Sequence, residues 1–148
     1  MKNQPVFADR DHVDPMNVTG EKLFFLLDHA QTDSYEIYLH DGAEGCGPPM
    51  HQHPWDEAFY VIQGEVEFEA AEVKRTVRAG GLVHSPGGVV HSFRYTTPVQ
   101  ILSVSMTDGA KKLFDKISKI IPGKMDTVGA DTMAELKAAT AGMASVKE

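Results

Sequence analysis

Gly45-Cys46-Gly47-Pro48-Pro49-Met50-His51-Gln52-His53-Pro54-Trp55-Asp56-Glu57-Ala58-Phe59-Tyr60-Val61-Ile62-Gln63-Gly64 sets two histidines and an acid between bounding glycines. On a strand, residues two apart point to one face, so His51 and His53 aim the same way. Pro54-Trp55-Asp56 reads as a short interruption, after which Glu57 has the parity to rejoin that face. Two imidazoles and a carboxylate that converge are the ligand set of a non-haem divalent metal. With no thiolate among them, the set suits iron, manganese, nickel, cobalt, copper or zinc.

A second segment supplies a third imidazole. Gly80 is followed by Pro86, Gly88 and His91. The Pro and Gly residues make a turn that returns the chain, so that His91 faces inward again. Two remote segments that give ligands to one ion are how a closed β-barrel builds a site in its mouth.

The surrounding texture fits a barrel. From Leu23 to Met106, short runs rich in Val, Ile, Phe and Tyr alternate with Gly, Pro or Asp. Such runs are Leu23–Leu27, Tyr35–Leu39, Ala58–Ile62, Val66–Glu69 and Gln100–Val104, and they predict an all-β barrel or sandwich. In Glu65-Val66-Glu67-Phe68-Glu69 acid and apolar residues alternate, so one face meets solvent and the other the core. After Asp108-Gly109 the period changes. Leu113, Phe114, Ile117, Ile120 and Ile121 recur at helical spacing until Pro122 stops them. A second helix is expected from Asp131 to about Gly142, opened by a Thr132/Glu135 capping box, with Met133, Leu136 and Met143 as its apolar stripe. The chain therefore divides into an irregular arm over 1–20, a barrel over 21–107 and a helical extension over 108–148.

Composition narrows the function. The chain has 148 residues, 14 Lys+Arg against 21 Asp+Glu, and a formal net charge of −7, which would repel a phosphate backbone and speaks against nucleic acid as partner. Its one Cys makes no internal disulfide. No apolar run approaches the length of a membrane helix, and the first residues carry no apolar signal core. The expectation is a cytoplasmic protein with no membrane partner.

The two segments resemble the motifs of the cupins. The first, G-x5-H-x-H-x3-E-x6-G, is met by Gly45, His51, His53, Glu57 and Gly64; the second, G-x5-P-x-G-x2-H-x3-N, by Gly80, Pro86, Gly88 and His91, with Tyr95 in place of the final Asn. At about one chance in fifteen per fixed residue, such agreement arises by accident about once in 10^10 registers. The resemblance covers roughly residues 20–107. It implies a cupin-type jelly-roll β-barrel, followed here by short C-terminal α-helices, with one divalent transition metal held by His51, His53, Glu57 and His91. The wider wording, Gly47–His51 through Glu57–Val61, is similar to single-domain cupins likened to quercetin 2,3-dioxygenase.

That likeness implies a metal-dependent dioxygenase acting on a small, aromatic or enolisable substrate. Four protein ligands on an octahedral ion leave two positions, one for a substrate oxygen and one for dioxygen or water. Glu57 would accept the substrate proton as general base. Phe25, Tyr38, Phe59 and Phe93 would offer aromatic walls; by strand parity Phe59, Val61, Phe93 and Tyr95 share the ligands' face, as pocket lining or as plain core. Two alternatives stand beside this reading. A sugar isomerase or epimerase acting on a phosphorylated substrate would need a cationic cluster, and the strands offer Lys74, Arg75, Arg78 and Arg94, which read as a solvated rim. A non-catalytic small-molecule binder is the other.

The remaining polar residues have plainer readings. His12, His29 and His40 are expected in solvent, His84 as a surface or structural residue, and Cys46 as a small buried one. Trp55 belongs either to the cavity mouth or to a dimer contact. The Ala110–Ile121 helix is expected on the outside of the barrel or in an interface, and a homodimer is the expected assembly.

Overall fold

The computed structural model describes residues 3–125 and 128–146; residues 1–2 and 147–148, the outer ends of the expected arm and extension, lie outside the described residues. Two antiparallel sheets face each other. One holds β1 (Met16–Val18), β2 (Glu21–Leu27), β3 (Tyr35–Gly42), β10 (Val99–Met106), β5 (Glu57–Gln63) and β8 (Leu82–Ser85), in that order across the sheet. The other runs β11 (Ser145–Val146), β4 (His51–Gln52), β9 (His91–Tyr95), β6 (Glu65–Ala70) and β7 (Val73–Arg78). Neighbours in each sheet are mostly distant in sequence, which is the wiring of a jelly roll. The fold is mostly β, with a four-residue α1 (His29–Thr32) and the C-terminal α2 (Gly109–Ile120) and α3 (Ala130–Ala139).

Period-two patterning builds the sheets. Val66 and Phe68 turn inward from β6 while Glu65 and Glu67 lie toward solvent. With Phe59, Val61, Phe93 and Ile101 they fill the space between the sheets. Each such side chain contributes about 1.5–3 kcal/mol on burial. The β5–β6 hairpin turns at Gly64, where φ is 91° and a Cβ would sit 2.2 Å from the Pro98 carbonyl oxygen. Only glycine fits there.

Several expectations need correction. The stretch read as an irregular arm contains a 3₁₀ turn over Arg10–His12 and the strand β1, whose Val18 is fully buried. Arg10 then anchors this segment over the barrel, paired with Asp41 at 2.6 Å and stacked on Phe24. The expected box at Thr132/Glu135 does not form: α3 begins one residue earlier, with Gly129 as an N-cap that makes no side-chain bond. Helix α2 is not an outside decoration. Its Ala110 and Leu113 pack with Val18, Leu23, Tyr38 and Trp55 at one end of the barrel, and backbone bonds from Thr19 to Ile121 and from Gly20 to Pro122 fasten its C-terminal end to the β1–β2 turn. Finally, Glu57 does not rejoin the strand face of His51. The chain crosses from β4 in one sheet to β5 in the other, so the acid approaches from the opposite wall.

Candidate metal centre

Two strands and the link that follows one of them bring the imidazoles together. His51 on β4 pairs directly with His91 on β9, and His53 follows two residues after His51. One ligand nitrogen from each lies within 4.8 Å of the others. Their orientation has a common cause: every Nδ1 donates to a backbone carbonyl two residues away. His51 donates to Pro49 at 2.8 Å, His53 to Trp55 at 3.0 Å and His91 to Val89 at 2.9 Å. Occupied Nδ1 atoms fix the tautomer and leave each Nε2 lone pair for the interior.

Glu57 completes the arrangement from the opposite sheet. Its Oε2 lies 3.2 Å from His53 Nε2 and 3.3 Å from His91 Nε2, without meeting hydrogen-bond geometry. Among the described residues those two Nε2 atoms are the buried side-chain nitrogens or oxygens that have no hydrogen-bond partner. A buried polar atom left unpaired costs about 1–3 kcal/mol, and a shared cation removes that cost. The neutral imidazoles and the carboxylate therefore fit one divalent transition ion.

The electrostatics agree with that donor set. Burial opposes ionisation of Glu57, yet the imidazoles of His53 and His91 hold its carboxyl far below the usual range, so it stays anionic. Burial, then the neighbouring His91, push His51 down to about 4, so it is neutral. Burial disfavours the charged form of His91 too, but Glu57 and the Val89 carbonyl lift it above its ordinary value.

Trp55 and Ser105 hold Glu57. The Trp55 indole donates to Glu57 Oε1 at 3.2 Å while its ring stacks on His53, with centroids 4.2 Å apart. Trp55 is buried, so neither reading given to it from sequence describes its place. Ser105 donates to the same Oε1 at 3.5 Å and bonds the Tyr38 hydroxyl at 2.8 Å.

The cavity beside the cluster, about 80 Å³, is bounded by Phe59 and Phe93 and, on the far side, by Leu113, Phe114, Ile117 and Leu136. Of the six residues read as pocket lining, Phe59 and Phe93 reach it. Val61 and Tyr95 lie in the core between the sheets, Tyr38 stands behind Glu57, and Phe25 is half-buried in a stack on Tyr38 at 4.6 Å.

His40 is a correction. It is 1% exposed rather than solvated, with Nδ1 donating to Glu21 at 3.1 Å and Nε2 2.7 Å from the Ser103 hydroxyl. The signal was available: the parity that puts Tyr38 inward puts His40 there as well. Tyr95, which replaces the motif Asn, joins this group by donating to Glu21 at 2.5 Å. His12 and His84 are exposed, His29 half-buried and Cys46 buried. Lys74 and Arg78 pair with Glu67 and Glu65, each at 2.9 Å, on the exposed side of β6 and β7. No helix among the described residues is long and apolar enough to cross a membrane.

Comparison with known proteins agrees with the architecture. No curated protein matches the chain by sequence. Among solved structures, KdgF from Halomonas sp. is 22% identical with a TM-score of 0.63, over 68% of this chain and 93% of that one. The polyketide cyclase RemF from Streptomyces resistomycificus is 19% identical with a TM-score of 0.61, over 70% and 80%. The DMSP lyase DddQ from Ruegeria pomeroyi DSS-3 is 28% identical with a TM-score of 0.54, over 60% and 48%. Residues 38–105, which contain all four clustered side chains, match the family described as Cupin_2, Cupin domain, and the fold is the one these solved structures share.

Proposed function

We propose that this cupin holds one divalent transition metal on His51, His53, Glu57 and His91 and acts as a non-haem dioxygenase on a small enolisable substrate. The observation that carries the proposal is the set of three Nδ1–carbonyl bonds, which leaves His53 and His91 with buried, unpartnered Nε2 atoms facing Glu57. When bound, the ion would supply a Lewis acid for an anionic substrate oxygen and a route for electrons to dioxygen. The protein's own groups do the rest. Glu57, held ionised by its neighbours, lines the cavity and takes the proton that enolisation releases. Trp55 and Ser105 keep its Oε1 in place so that Oε2 faces the Nε2 atoms of His53 and His91. Phe59 and Phe93 exclude water around the reacting carbon.

Metal analysis after anaerobic purification, then an oxygen-electrode screen of small diketones and enolisable acids, tests this reading. Oxygen uptake that needs one metal and vanishes in His91→Ala is the expected result. Uptake with no metal at all, or no metal retained, overturns it. A redox-neutral second reading, proton abstraction by Glu57 and elimination, has the 28% identity to the DMSP lyase in its support; product formation without oxygen consumption selects it. The paired state of Lys74 and Arg78 gives no support to a phosphorylated sugar as substrate.

A homodimer belongs to the same proposal. Tyr60 and Leu82 are cross-strand partners on the outer face of the six-stranded sheet, 43% and 63% exposed, with Ile62 beside them. Sedimentation at micromolar concentration should give a dimer, and Leu82→Lys a monomer with metal binding intact.

A further inference from the structure

We propose that the C-terminal helices form the specificity wall of the metal site, selecting a small molecule with one oxygen-donor head and a short non-polar tail. This deepens the function proposed above and rests on its metal centre. Leu113, Phe114 and Ile117 of α2 and Leu136 of α3 bound the same cavity as His51, His53 and Glu57. The barrel thus supplies the ligands together with Phe59 and Phe93, and the extension supplies the rest of the apolar wall.

Most of the polar side chains that share this wall, Thr19 aside, are already engaged. Glu21 accepts from His40 and Tyr95, His40 is also bonded to Ser103, and the Thr140 hydroxyl donates to the Leu136 carbonyl. A hydroxyl or charge on the substrate tail would therefore be buried without a partner among them, which disfavours it. The head, at the unpartnered Nε2 atoms of His53 and His91, meets open polar positions.

Size makes the selection sharper. A cavity of about 150 Å³ takes benzene. The space here, about 80 Å³, is about half of that and favours a short tail over a ring. Helix α2 is fixed at both ends, by Glu36 accepting from the Lys111 amide at 2.8 Å and by the Ile121 and Pro122 carbonyls bonded to the β1–β2 turn. The wall is therefore a built part of the barrel end.

The test uses the full chain loaded with Co(II), read by its visible absorption as straight-chain carboxylates from formate to octanoate are added. Affinity should rise about fourfold per methylene, reach its maximum near butyrate and fall beyond it. Phe114→Ala should move the maximum two or more carbons longer; Ile117→Ala serves the same purpose should the first variant fold poorly. Affinities that do not vary with chain length, or a maximum unmoved by either variant, overturn the proposal. Failure of Co(II) to bind instead overturns the metal reading. In that event straight-chain alcohols, titrated into metal-free protein and followed by the Leu113 and Ile117 methyl signals, decide the wall: the same length limit supports it, and no limit overturns it.

Discussion

At the scale of single residues, the site is made by what holds the histidines from behind. A backbone carbonyl two residues away does this for each of them, so the chain's local geometry aims the ring, with the Ser85 hydroxyl adding a contact to His91 Nδ1 at 3.2 Å. Glu57 differs: its orientation depends on Trp55 and Ser105. Trp55→Phe keeps the ring on His53 and removes the donor to Oε1. Outer partners of this kind are worth about 10–100-fold in metal affinity, and calorimetric titration of the variant should show a loss in that range. Tyr95 makes a similar case away from the ligands. Tyr95→Phe leaves a buried Glu21 oxygen without its 2.5 Å donor, and urea unfolding should report a loss of about 1–3 kcal/mol. The four clustered side chains were legible because the motif spacing is local. The buried group of Glu21, His40, Ser103 and Tyr95 was not, because its members sit on β2, β3, β10 and β9 and meet only after the sheets close.

At the scale of elements, the extension shows where periodic reading stops. The spacing of Leu113, Phe114 and Ile117 predicts a helix and its apolar stripe, and α2 has both. It says nothing of which surface receives the stripe, since Val18, Leu23 and Tyr38 lie some ninety residues earlier in sequence. The N-terminus of α2 is likewise satisfied from elsewhere: Asp108 makes no side-chain cap bond, and Glu36 of β3 accepts from the Lys111 amide instead. Lys111 adds a 2.6 Å bridge to Asp28, the residue that caps α1. The ammonium holds the Asp28 carboxyl below its ordinary value. A carboxyl depressed in the folded state contributes stability that is present above its unfolded pKa, near 3.9, and lost as pH falls through the folded value. Asp28→Asn should therefore cost below about 1 kcal/mol at neutral pH, since the pair is partly exposed, and should approach the parent as pH falls through the folded value. Denaturant melts at several pH values measure the difference.

At the scale of the whole molecule, the cluster ties together two halves that otherwise meet through apolar packing and the bond from Tyr95 to Glu21. His51 and His91 stand on the five-stranded sheet and Glu57 on the six-stranded one, with His53 in the crossing between them. An ion that binds the folded arrangement and not the unfolded chain stabilises it by RT ln(1 + [L]/Kd), about 4.1 kcal/mol at a thousandfold excess over Kd. For a chain of this size each kcal/mol moves Tm by about 2–4 °C. Chelation should then lower Tm by about 8–16 °C, and calorimetry with and without EDTA checks it. The His91→Ala variant separates a staple from general salt effects. It removes one ligand from the five-stranded side, so its melting should barely respond to metal or EDTA. Equal shifts in the parent and the variant would mean that the ion acts elsewhere on the surface.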